Sequence, residues 1–303
     1  MIIKSVKRSK IVSNVLYHVI ITAFSFAMIY PLLWMIGSSF KFNEEIFVNV
    51  RRILPTKLTI TNYTTGWAGF GGNSFALFFK NSFFVTILVT IGTVLSSSFI
   101  AFGFARIRFR GRSFWFVMMI ITMLLPGQVM IIPRYVMFNN MGWVGTFLPL
   151  IIPPFFGGAF NIFLIMQFIR GIPRDMDESA KIDGARQIRI FVQIVLPISL
   201  PAIATIGLFY TFAYWNDWMM AKYYLNSNAQ DLYPLQYVLI ALESNIDFLT
   251  RNQQFMGPGE ASNIPSETIR MAMVMVGVIP IACSYPFFQK YFISGLTIGA
   301  VKG

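Results

Sequence analysis

Six stretches of this chain are apolar over enough residues to cross a membrane as helices: about 15–39, 81–105, 113–132, 146–168, 198–218 and 266–288. A spanning helix needs roughly 20 apolar residues. Inside lipid the backbone must satisfy its own hydrogen bonds, which leaves the α-helix as the structure such segments can take. Only 12% of residues are charged, against about 25% in soluble proteins. The expectation is an all-α integral membrane protein with six transmembrane helices. The first run follows a basic start with Lys4, Lys7, Arg8 and Lys10. It is long and lacks a small-x-small cleavage site, so it reads as a retained span rather than a signal peptide.

Several runs carry marks of helices that pack or bend. The second contains Thr86, Thr90, Gly92, Thr93, Ser96, Ser97 and Ser98, residues that let helices approach closely in lipid. Pro126-Gly127-Gln128 predicts a kink near the end of the third. Pro153-Pro154 and Gly157-Gly158 predict a broken fourth. Residues 41–78 and 222–266 read as long polar loops. The chain thus divides into a basic tail (1–12), a first span with its external loop (13–80), a core of five further spans (81–290) and a C-terminal tail (291–303).

Six spans place both ends on one side of the membrane. Fifteen of the 24 basic residues lie on that side, including the short turn Arg106, Arg108, Arg110, Arg112 and the stretch around 170–195; nine lie on the other. Short basic loops stay cytoplasmic, so both termini and the 170–195 stretch are expected there. The same asymmetry accounts for the net charge of +12 without a nucleic-acid partner.

The most informative segment is that polar stretch, residues 173–201, set between apolar runs. Pro173 precedes Asp175, Asp177 and Glu178. Acidic residues favour the positive end of a helix dipole. Gly184 can end the short helix in a left-handed conformation. Pro197 and Pro201 fall where a second short helix must turn into the next span. A kinked, rigid element between cytoplasm and lipid suits a force-transmitting joint.

The residues Glu178, Ser179, Ala180, Asp183, Gly184, Ala185, Leu196, Pro197 and Pro201 resemble the EAA loop of the permease subunits of bacterial binding-protein-dependent ABC importers, with Ser179 in place of the middle alanine. The resemblance implies the type I ABC importer permease fold. It also implies a cytoplasmic coupling helix, within 173–197, that inserts into a cleft of an ATPase. Glu178, Ser179, Ala180, Asp183, Gly184, Ala185 and Pro197 would carry that coupling. The partners implied are a second, homologous permease, two ATPase subunits (or a homodimer of one) that bind ATP and Mg, and an extracytoplasmic solute-binding protein, all at a bacterial cytoplasmic membrane. The tail Gly295-Leu296-Thr297, Gly299, Val301-Lys302-Gly303 and the motif Trp215-Asn216-Asp217 resemble the carbohydrate-importing branch, in the subunit similar to the maltose importer's smaller permease. The long 222–266 connection is similar to that of a subgroup importing oligosaccharides from complex polysaccharides.

Sugars are bound by stacking on aromatic rings and by paired polar groups. Tyr210, Tyr214, Trp215, Asn216 and Asp217 offer both in one segment, with Tyr210, Tyr214 and Asp217 on one helical face. An Asp beside a span is a functional candidate. Gln128 and Asn161 are further pathway candidates. The chain has no Gly-x-x-x-x-Gly-Lys-Ser/Thr phosphate loop, no His pair for a metal and no catalytic Ser/His/Asp set, so neither an ATPase, an enzyme nor a cofactor-bearing protein is expected. An ion-coupled secondary transporter is the alternative. It needs ionisable residues near the membrane midplane, and the spans offer almost none. The single cysteine, Cys283, lies in an apolar run and is expected to be buried.

Overall fold

The structure is a computed structural model that describes residues 2–48, 50–69, 72–251 and 266–300; side chains are described at 13–48, 50–69, 72–244 and 266–286. It is helical throughout, and no strand occurs among the described residues. The helices are α1 (Ile2–Ser39), α2 (Asn43–Val48), α3 (Thr61–Ala68), α4 (Phe75–Arg106), α5 (Arg112–Leu124), α6 (Ile131–Asn140), α7 (Leu148–Ile151), α8 (Ala159–Arg170), α9 (Asp175–Ile182), α10 (Gln187–Ile190), α11 (Leu196–Ile198), α12 (Leu200–Trp215), α13 (Met219–Tyr224), α14 (Leu235–Arg251) and α15 (Glu267–Ala300).

Among the described residues, four segments are long and apolar enough to cross a membrane without a sharp bend: Ser13–Ser39, Phe75–Arg106, Leu148–Arg170 and Glu267–Pro286. Two further candidates are bent pairs. Arg112–Leu124 and Gly127–Asn140 meet at 95°, and Gln187–Ile198 meets Leu200–Trp215 at 76°. Counting each pair as one span gives six. The bends fall where proline removes a backbone donor. The first sits at Pro126-Gly127, and the second lies between Pro197 and Pro201. At the second bend the preceding helix is loosened by a π-helical turn, Phe191–Val195. Pro153 and Pro154 start a 3-10 turn, Pro153–Phe156, inside the fourth span, as their sequence predicts.

The chain divides into two compact units, residues 1–71 with 245–278, and residues 72–244 with 279–303. In the first, the end of α1 is tied to the segment after it. The Asn62 side chain donates to the Ser39 and Lys41 carbonyls at 2.8 Å each and accepts from Thr268 at 3.0 Å. The wholly buried Lys41 donates to the Arg52 carbonyl. Residues 41–78 are therefore not the plain polar loop expected from composition. Polar side chains there cap and bridge backbone groups, and two short helices form.

In the second unit α4 is the central post. Its 32 residues make a helix about 48 Å long. Ala101, Phe102 and Ala105 pack with Ile162, Ile165, Met166 and Ile169 of α8 and Ile206 of α12 in one buried cluster. Near its start, Asn81 donates to the Asp231 and Tyr233 carbonyls at 2.7 and 3.1 Å, and the Ser82 hydroxyl accepts from the Leu235 amide at 2.8 Å.

The expected 222–266 loop is also largely helical up to Arg251; residues 252–265 lie outside the described residues. Leu235 and Val238 are buried at helical spacing, a pattern hidden by the polar composition around them. Cys283 is exposed, not buried, because the apolar length of a span answers to the membrane it crosses and does not require each side chain to face the chain's own core. The C-terminal motif 295–303 lies outside the residues whose side chains are described.

Candidate functional site

Two regions of the second unit gather the residues singled out in the sequence. The first is the 173–201 stretch. α9 begins just after Pro173 with Asp175, Asp177 and Glu178 in its first turn. Its end is a paired-hydrogen-bond stop of the kind glycine permits. Gly184 has φ +79°, its amide bonds to the Lys181 carbonyl at 3.0 Å, and the Ala185 amide bonds to the Ala180 carbonyl at 2.9 Å. Ala180 and Ala185 both turn onto the core cluster, which explains why small residues stand there.

The inner face of α9 is locked by charge. Asp177 is buried, and its Oδ2 lies 3.2 Å from Nε of Arg106 at the end of α4. Arg106 also donates from Nη2 to the Ile169 and Ile172 carbonyls, at 3.0 and 2.7 Å. One guanidinium thus joins α4, the end of α8 and α9. Asp177 Oδ1 is buried without a hydrogen-bond partner among the described residues, so Arg106 is what offsets its charge. The outer face is different. Glu178, Ser179, Asp183 and Gly184 are exposed, and so are the apolar Met176 and Ile182, the latter 87% exposed. Ile188 and Val192, just beyond, are exposed too. Pro197 is exposed at the bend into α12.

The second region is a cavity of about 270 Å³ whose walls include Arg134, Phe138, Pro153, Gly158, Tyr210, Tyr214, Asp217 and Tyr224. The expected face of Tyr210, Tyr214 and Asp217 is present: all three line this cavity and also a second depression with Asn161. The rings of Tyr210 and Tyr214 stack with centroids 5.6 Å apart. Asn161 is 3% exposed, and its Nδ2 has no hydrogen-bond partner among the described residues. Gly158 allows this convergence, since a Cβ there would lie 2.8 Å from Asn161 Nδ2 and 2.9 Å from the Tyr210 hydroxyl.

Asp217 lies just past α12, and its Oδ1 accepts from the Met219 and Met220 amides at 3.0 and 3.1 Å. It caps α13 as well as lining the cavity. Burial holds its pKa above the usual carboxylate range, while these two hydrogen bonds oppose the shift. Asp217→Asn keeps a capping oxygen, whereas Asp217→Ala removes it at a cost of about 1 kcal/mol. Thermal melts of the two variants in detergent should therefore separate, with the Ala variant lower.

The other pathway candidates are placed elsewhere. Trp215 is buried against Phe79 and Phe83, with centroids 5.9 and 4.9 Å away. Asn216 is exposed and donates to the Phe212 carbonyl at 2.8 Å. Gln128 is exposed in the 3-10 turn Gly127–Met130. None of the three lines either cavity. Two residues that matter here were counted in the sequence only as topological charges. Arg106 ends α4, one residue past the 81–105 run, and Arg134 lies in α6, two residues past the 113–132 run, so no local signal marks either as more than a charge flanking a span. Among the described residues no three His, Cys, Asp or Glu side chains gather as a metal site.

Comparison with known proteins sets this geometry in context. The chain is 34% identical over 293 residues, 96% of its length and 98% of the relative's, to the polygalacturonan/rhamnogalacturonan transport system permease protein YtcP of Bacillus subtilis (strain 168). It is 27% identical over 283 residues, 92% of its length and 93% of the relative's, to the arabinooligosaccharides transport system permease protein AraQ of Halalkalibacterium halodurans. Its fold is shared with a chain of a bacterial ABC transporter involved in the import of the acidic polysaccharide alginate, with TM-score 0.78 and 23% identity over 94% of this chain and 98% of that one. Residues 94–298 match the family described as binding-protein-dependent transport system inner membrane component. The chain belongs to that family, as a multi-pass membrane subunit of an ABC transport system that works with a binding protein and ATPase subunits.

Proposed function

We propose that this chain is one of two homologous permease subunits of an importer that moves an oligosaccharide across a bacterial cytoplasmic membrane by alternating access. The observation that carries this reading is α9: its inner face is fixed to α4 and α8 through Arg106, and its outer face is exposed, acidic and apolar. Such a face suits a protein cleft better than lipid or water. The names of the two relatives supply the substrate class, carbohydrate.

ATP and Mg are bound by two partner ATPase subunits, and an extracytoplasmic binding protein delivers the sugar. In this chain Glu178, Ser179, Asp183 and Gly184 present the docking surface, and Ala180 and Ala185 hold it against the core. Movement of α9 passes to α4 and α8 through the Arg106–Asp177 pair. It passes to α12 through the bend at Pro197. The basic-residue asymmetry puts α9 and both termini in the cytoplasm. The Tyr210–Tyr214 stack offers ring faces to a sugar, and Asp217 and Asn161 offer hydrogen bonds.

The test is sugar-dependent ATP hydrolysis by the reconstituted complex. Tyr210→Ala with Tyr214→Ala should lower sugar stimulation about tenfold or more, with ATPase assembly intact. Unchanged stimulation would remove the tyrosines from the pathway.

A further inference from the structure

We infer that the transported carbohydrate is acidic and that Arg134 reads its carboxylate. The inference rests on the cavity beside Tyr210 and Tyr214 being the substrate route, and adds the charge of what passes through it. α6 leaves the 95° bend at Pro126-Gly127 and brings Arg134 into the cavity wall. The ion pairs among the described side chains are Arg106–Asp177 and Arg270–Glu267. Arg134 takes part in neither and has no hydrogen bond to a described residue. The carboxylate nearest in role, Asp217, lines the same cavity but caps α13 through Oδ1.

Arg134 is exposed, and it shares the wall with Phe138, Pro149, Pro153, the tyrosines and the polar Ser82, Thr93 and Asp217; a ligand that covers its guanidinium takes a permanent cation out of water, which is costly unless the ligand brings the opposite charge. The guanidinium fork matches a carboxylate by two parallel hydrogen bonds. A neutral sugar needs only ring faces and uncharged or hydroxyl-accepting partners, which the tyrosines, Ser82, Thr93 and Asp217 already provide. The volume of about 270 Å³ lies just under the ~300–1,000 Å³ of typical ligand sites, so it takes a short segment of such a chain. A uronic-acid unit, with its ring on Tyr210 or Tyr214 and its carboxylate on Arg134, engages both the aromatic faces and the cation, and its hydroxyls are left for Asp217, Ser82 and Thr93.

Equilibrium binding to the purified transporter complex, without the binding protein, keeps that protein's selectivity out of the measurement. The probes are a hexuronic-acid disaccharide and its carboxyl-reduced neutral counterpart. The wild type should bind the acidic sugar about tenfold or more tighter. Arg134→Gln should erase the difference by weakening the acidic sugar alone, and Arg134→Lys should keep part of it. Equal weakening of both sugars by Arg134→Gln, no effect on either, or a wild-type preference for the neutral sugar would overturn the inference. If the neutral sugar binds and Tyr210→Ala weakens it, the cavity reading survives that failure. If neither sugar binds, or Tyr210→Ala changes nothing, the cavity reading falls and this inference with it.

Discussion

Arg106→Ala should destabilise the chain by about 3–5 kcal/mol, the usual cost of leaving one member of a buried ion pair unpartnered. Both side chains are nearly inaccessible, at 5% and 8% exposure. Asp177 Oδ1 already lacks a hydrogen bond, and the Ile169 and Ile172 carbonyls would lose their donor as well. Asp177→Ala should cost a similar amount, because it strands the guanidinium. Arg106→Lys keeps the charge but cannot reach a carboxylate and two carbonyls with one ammonium, so it should fall between. Thermal melts in detergent check the series. A double change, Arg106→Met with Asp177→Leu, removes both charges and should recover most of the stability. If the pair also transmits movement, as proposed, sugar-stimulated ATPase activity should stay low in that recovered variant. Full activity in the stable double variant would reduce the pair to a structural fixture.

Ile182→Asp should have the opposite profile. With its side chain 87% exposed, the change should alter the chain's own stability by no more than about 0.5 kcal/mol. An apolar anchor buried in a partner's cleft contributes about 1.5–3 kcal/mol, and a carboxylate placed there adds a desolvation cost. ATPase affinity should therefore fall about tenfold to a hundredfold, with a normal melt. Measuring ATPase co-purification beside the melting temperature separates the two effects. An Ile182→Asp chain that melts normally and retains its ATPase would show that this face of α9 does not dock.

These two variants mark what the amino-acid order discloses and what it hides. The spans are legible because lipid demands unbroken apolar length, and the bends because Pro126-Gly127, Pro153-Pro154 and Pro197 remove backbone donors at fixed places. α9 is legible for a similar local reason, from Pro173, an acidic first turn and Gly184. Its anchor is not. Arg106 and Asp177 are far apart in the chain, and nothing near either residue announces the other. Tyr210, Tyr214 and Asp217 were assigned one face by helical spacing alone, and they line one cavity. Trp215 and Asn216 follow in the same motif but point to other surroundings, since residues one and two positions apart do not share a helix face. Arg134 was invisible as a cavity residue because only the 95° bend brings it there. The helices in 41–78 and 222–251 were masked by polar composition, which says little when a short amphipathic helix buries only a few side chains.

The most direct test of the central claim is recovery of this chain from its native membrane in mild detergent, with mass spectrometry and an ATPase assay on the eluate. The account predicts that a second multi-span permease and an ATPase come with it, and that ATP hydrolysis rises when the binding protein and its sugar are added. Recovery of the chain alone, with transport that ignores ATP and follows an ion gradient, would contradict it.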